Sequence, residues 1–187
     1  MEQRLLEEGG TGRGTSVNRS VLLASHAWFH EQIGGSFKIA TDLAEYLAAS
    51  GHRVCYVCGT AERAPVNPTV VGGVELWRYP YPEWASPHPV NLFGHIRGAY
   101  RLTREILRES PVACVNGHSP LQFLGASLAA GKGCGRQVYS VHSPFPEELE
   151  SNWNGSRQTL DQRVAGWLAW AMERLDFLRH GRANEWG

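Results

Sequence analysis

The feature that most constrains the fold is one uninterrupted run at residues 21–59, VLLASHAWFHEQIGGSFKIATDLAEYLAASGHRVCYVCG. It holds a short apolar segment, a loop ending in Gly34-Gly35, an amphipathic stretch closed by Gly51, and a second apolar segment. That order predicts a β-α-β unit. A glycine pair at the helix entrance is where such a unit can receive a phosphate, because the first N–H groups of a helix have no internal partner.

The rest of the chain repeats the alternation. A first strand is expected at 21–25, continuously apolar and suited to a sheet covered on both faces. In the helix that follows, Ala40, Leu43, Ala44 and Leu47 recur at helical spacing, and Gly51 supplies a left-handed end. A second strand is expected at 53–58. A turn-rich passage with Pro65, Asn67 and Pro68 leads to a third at 74–79, whose alternation predicts a half-exposed strand. The proline-rich stretch 80–89 reads as a loop. A helix at 91–109 then sets Leu92, Ile96, Ala99, Thr103 and Ile106 on one face. After a fourth strand at 112–116, Ser119 is placed to cap a helix with Pro120 at its first position. Glycines 131, 133 and 135 end that helix, and 137–141 forms the fifth strand.

This alternation predicts an α/β domain: a doubly wound, mostly parallel, Rossmann-like sheet of order 3-2-1-4-5 spanning 20–179. A charged, glycine-rich leader at 1–19, read as mobile, precedes it, and a polar tail at 180–187 follows. The last expected helix, 158–179, carries a stripe of Leu160, Val164, Trp167, Leu168, Ala171, Leu175 and Leu178, with Trp170 and Phe177 outside it. Apolar surface on more than one side predicts cover on more than one side. The candidates are its own domain, a partner domain, a second copy or a membrane surface.

Composition removes several classes of function. Lys+Arg and Asp+Glu number 18 each and the basic residues are scattered, so no nucleic-acid partner is expected. The N-terminus lacks the apolar core of a secretory signal, and no run approaches the ~20 apolar residues of a membrane span. A cytoplasmic location is the expectation. Four cysteines make no disulfide framework in a domain this long. Cys55 and Cys58 lie three apart on an expected strand and so face opposite sides, as ordinary buried cysteines.

In a doubly wound sheet, ligands sit beyond the carboxyl ends of the strands, where strand order reverses. Three expected strands run into histidine there: the first into His26, the fourth into His118-Ser119-Pro120, the fifth into His142-Ser143-Pro144. Strands one, four and five are neighbours in the expected order, so the three imidazoles share one crevice. His30, His52, His88, His95 and His180 have no comparable placement. The Gly34-Gly35 loop is not the Gly-x-Gly-x-x-Gly fingerprint, and Gly59-Thr60 stand where an acidic residue would hold a ribose. Bound NAD is not expected.

These residues resemble the N-terminal domain of the GT-B glycosyltransferases called family four. The resemblance rests on the first strand with its Gly34-Gly35 loop, then LAEYLAASGHRVCYV, GVELWRYP, VNGHSPLQFLGASLAA and VYSVHSPFPEEL, and covers about residues 20–178. It implies transfer of a sugar from a nucleotide sugar to an acceptor, usually with retention at the anomeric carbon. Gly34 and Gly35 match the loop that approaches the donor diphosphate. His142 matches the histidine facing the transferred sugar, and His118 a position near the acceptor; these two are the catalytic candidates. His26, Ser119, Ser143 and Glu147 are the candidate substrate-binding residues. No metal ligand and no cofactor are implied. The resemblance also implies a second Rossmann-like domain that grips the nucleotide, as part of a longer chain or a separate partner. Without that domain, little or no transfer is expected.

Two other functions stay open on the sequence. One is a binding or interaction module that keeps the crevice and performs no chemistry. The other is a metal hydrolase using His26, His118 and His142, with Glu31 and Glu147 as the available carboxylates.

Overall fold

The computed structural model describes residues 20–81 and 89–142. The leader at 1–19, the expected helix at 158–179, the tail at 180–187, and Ser143 and Glu147 lie outside the described residues. In chain order the elements are β1 (Ser20–Ala24), α1 (Gly35–Ala49), β2 (Arg53–Thr60), β3 (Thr69–Val71), β4 (Val74–Pro80), α2 (Pro89–Glu109), β5 (Cys114–Gly117), α3 (Pro120–Ala130), a 3-10 turn (Gly131–Gly133) and β6 (Arg136–Tyr139).

They form one sheet in the order β3-β4-β2-β1-β5-β6. All neighbouring strands run parallel except β3, which lies antiparallel to β4. Without β3 the order is the expected 3-2-1-4-5, and the fold is the expected doubly wound, Rossmann-like α/β sheet.

The extra strand has a local cause. Gly72 and Gly73 have φ of 56° and 83°, and Val71 pairs with Val74 across them. Two consecutive left-handed residues make the tight turn whose twist matches a hairpin. Asn67 extends the pairing with its side chain: its Nδ2 donates to the Arg78 carbonyl at 2.6 Å and its Oδ1 accepts the Arg78 N–H at 2.7 Å.

The helices cover both faces. On one, Leu22, Val57, Trp77 and Tyr79 of the strands pack with Ala99, Leu102 and Ile106 of α2 and Phe123 and Ala126 of α3. On the other, Leu23, Val54, Tyr56, Cys58 and Leu76 pack with Ala40 and Ala44 of α1 and with Trp28. Cys55 belongs to the first core and Cys58 to the second, so the pair does face opposite ways. Burial pushes the Cys55 thiol up to about 12. The expectation of a half-exposed third strand is corrected here. In β4, Val74, Leu76, Trp77 and Tyr79 are all buried, because β3 covers the edge and helices cover both faces.

Helix α1 ends as the sequence dictates. The His52 N–H reaches the Leu47 carbonyl at 3.1 Å and the Gly51 N–H reaches Ala48 at 3.0 Å, with Gly51 at φ 82°. This is the double closure that a glycine just past a helix permits. No helix among the described residues is long and apolar enough to cross a membrane.

At the amino end of the strands, Arg53 of β2 grips Glu75 of β4 with two bonds of 2.8 Å and also bonds Ser110. The Arg53 hydrogen bonds hold the Glu75 carboxyl below its usual range, against an opposing push from burial. A depressed carboxylate stabilises the fold above its unfolded value, about 4.3, and loses that contribution as pH falls toward the folded one. Urea unfolding across pH should therefore show wild type losing more stability on acidification than Glu75→Gln, which starts lower at neutral pH. Parallel acid limbs for the two proteins would remove the assignment.

Candidate functional site

The rim at the carboxyl ends of the strands is tied together past the last sheet residues. The His118 N–H donates to the Ala24 carbonyl at 2.8 Å, Gly59 to His26 at 2.9 Å, and Ser140 to Gly117 at 2.8 Å. These bonds bring the segments after β1, β2, β5 and β6 into one connected edge.

The segment between β1 and α1 is pinned by packing and by side chains. Trp28 is buried edge-on against Tyr56, with ring centroids 4.9 Å apart, and the Tyr56 hydroxyl donates to the Ala27 carbonyl at 3.1 Å. The Phe29 N–H donates to Thr41 Oγ1 at 3.2 Å. Glu31 accepts from Arg78 Nη1 at 2.7 Å and from Thr60 Oγ1 at 3.4 Å. The Tyr81 hydroxyl donates to Gln32 Oε1 at 3.0 Å. A loop held at this many points presents Gly34 and Gly35 in a fixed place.

Gly34 is the N-cap of α1 in extended backbone, and no side chain caps the helix. No acidic residue stands in the first turn, so the positive end of the helix dipole is uncompensated. The two glycines differ in what the fold asks of them. A Cβ on Gly34 would lie 2.6 Å from the Phe37 ring, whereas one on Gly35 would meet nothing within 4 Å among the described residues. Gly35 has no left-handed backbone either, so neither space nor strain requires glycine there.

His118 and His142 are joined directly: His118 Nδ1 lies 2.8 Å from His142 Nε2. His118 is buried at the end of β5, while His142 is exposed beyond β6. Burial, then the neighbouring His142, lowers the His118 imidazole to about 4. It is neutral at pH 7. Its other nitrogen, Nε2, is buried with no hydrogen-bond partner among the described residues.

His26 occupies different surroundings on the same rim. Its ring lies 5.4 Å from Phe37, 5.1 Å from His95 and 5.5 Å from Tyr81, centroid to centroid. Burial, with a smaller contribution from His95, lowers it to about 3. Ser119 stands at the N-cap position of α3, but its hydroxyl makes no cap bond. The expectation that it caps the helix is corrected: Oγ accepts the His26 backbone N–H at 3.0 Å, joining the β1 and β5 ends.

His95 is the site residue that the sequence did not single out. It lies on the buried face of α2, bonded through Nδ1 to the Tyr79 hydroxyl at 3.0 Å, with Gln122 Nε2 at 3.2 Å from it. Gln122 also donates to the Tyr79 hydroxyl at 2.8 Å. Burial lowers His95 to about 4. The available signal was its spacing: position 95 falls on the stripe of 92, 99, 102 and 106, where an imidazole enters the core side of the helix. Among the described residues no three His, Cys, Asp or Glu side chains gather as a metal site. Glu31, the carboxylate available to a hydrolase, is taken up by Arg78 and Thr60.

A family model described as Glycosyltransferase Family 4 matches residues 33–178. A solved structure titled as the glycotransferase of kitacinnamycin is similar, with a TM-score of 0.42 and 17% identity. That match covers 78% of this chain and 37% of that one, so the chain spans well under half of that protein's length. No curated protein matches the chain.

Proposed function

This chain belongs to glycosyltransferase family 4, and on that premise we propose that it is the acceptor-side, N-terminal half of a retaining GT-B enzyme working in the cytoplasm. It transfers a sugar from a nucleotide-sugar donor to a hydroxyl acceptor, in concert with a second Rossmann-like domain that holds the nucleotide. That second domain belongs either to a longer chain or to a partner protein.

One observation carries the proposal. The uncapped start of α1 and the His118–His142 pair lie on the same rim, linked through His26, which touches Phe37 on one side and Ser119 on the other. Free backbone N–H groups at a helix start stabilise a departing diphosphate. Imidazoles bond sugar hydroxyls and the charge that develops at the anomeric centre. Gly34 and Gly35 take the first role, His142 and His118 the second, and His26 and Ser119 shape the floor between them. Ser143 follows His142 directly in sequence, Glu147 stands five residues on, and the two complete the proposed substrate contacts.

The test joins the chain to the C-terminal domain of a family member and measures transfer from nucleotide sugars. Transfer should appear, and His142→Ala or His118→Ala should each lower kcat about 10²–10³-fold, the scale for losing one preorganised group at a developing charge. Acceptor binding by calorimetry with no transfer in any such assembly would make the domain a binding module instead.

A further inference from the structure

The contact between the two histidines fixes more than their proximity. Their ring planes lie 14° apart with centroids 5.0 Å apart, while the contacting nitrogens are 2.8 Å apart. That centroid distance is close to the largest a contact of this length allows once one ring radius is added at each end. Both nitrogens therefore lie near the line of centres, and the rings meet edge to edge rather than face to face. An imidazole N–H or lone pair points radially in the ring plane, so this is a well-aligned hydrogen bond with one proton in it.

Two arrangements of neutral rings place that proton. If His142 Nε2–H donates, His118 must carry its own proton on Nε2, leaving a buried N–H with no acceptor. If His118 Nδ1–H donates, the leftover proton sits on Nδ1 of exposed His142, where water reaches it, and His118 Nε2 is a bare acceptor. Orphaned buried N–H groups are rarer than unfilled acceptors, and each carries a desolvation cost. The second arrangement wins.

We infer that His142 acts through His118, locking it in the Nδ1–H form and leaving its buried Nε2 a bare acceptor. His142 is then a positioning residue as well as a surface group. The proton arrangement does not rest on the transferase function proposed above.

The experiment is ¹⁵N NMR of the imidazoles in the full chain, reading which nitrogens are protonated through two-bond correlations. His118 should show a protonated Nδ1 and a bare Nε2, and His142 the same pattern. His142→Ala should release the lock, giving His118 a mixed or reversed pattern while the amide spectrum keeps its native dispersion. A protonated His118 Nε2 in wild type, or an unchanged pattern in His142→Ala, would overturn the inference. Transfer failing in the assembled enzyme while the lock is observed would count against the proposed function alone.

Discussion

Gly35→Val is expected to lower transfer by the assembled enzyme about 10²–10³-fold while leaving the melting temperature of the domain nearly where it was. The two halves of that expectation have separate causes. Gly35 opens α1, its backbone is not left-handed, and a Cβ there meets nothing within 4 Å among the described residues. A side chain is therefore tolerated by the fold, and replacing glycine even restricts the unfolded chain. What the added branches obstruct is the approach of an anion to the N–H groups of the first turn, where contact has to be made at backbone distance. Thermal melts and steady-state transfer measured on the same preparation check both halves. Full transfer in the variant would mean that no phosphate comes near this loop. A collapse of the melt would mean that the glycine serves folding.

The largest effect on stability is expected at the opposite kind of glycine. A Cβ on Gly125 of α3 would sit 2.4 Å from the Ile96 carbonyl oxygen, and 3.0 Å from both the Ala99 Cβ and the Tyr100 backbone nitrogen of α2. Two of these three atoms are backbone in a long helix, so the neighbour cannot turn aside as a flexible side chain would. Gly125→Val must push α2 and α3 apart, and overpacking of this sort costs about 1–3 kcal/mol or more. At roughly 2–4 °C per kcal/mol for a protein of this size, the melting temperature should fall by several degrees. Gly133→Ala is the control, because a Cβ there meets nothing within 4 Å among the described residues and the melt should not move. The same separation would loosen Gln122 of α3 from His95 of α2, so the Tyr79–His95–Gln122 bonds should weaken with it. Equal melting temperatures for the two variants would show that the helices do not meet as described.

Much of the architecture was legible in the residues because it follows from local rules. Apolar runs of strand length alternate with amphipathic stretches, and Gly51 and Gly131 stop helices α1 and α3 with φ of 82° and 56°. The β3–β4 hairpin was also legible, in Val70-Val71-Gly72-Gly73-Val74, but the turn-forming prolines just before it drew the segment into a loop. The burial of β4 was not legible. Alternation reports the polarity of side chains, and Glu75 and Arg78 are polar residues held by Arg53 and Glu31 within a covered strand.

The candidate site divides along the same line. That His118 and His142 follow neighbouring strands could be read from strand order; that they share a proton depends on a 2.8 Å contact. Ser119 looked like a cap because its position fits one, yet its hydroxyl serves His26, 93 residues earlier. His95 looked like one more histidine until α2 laid it against His26 and Tyr81.

By itself the sequence determined the alternation of elements, where most of them stop, and which rim of the sheet would collect histidines, since steric preference and hydrophobic spacing act over a few residues at a time. Only the tertiary structure decided which polar atom answers which. A hydrogen bond is won by whichever group packing delivers to within about 3 Å, and distance along the chain does not record that delivery.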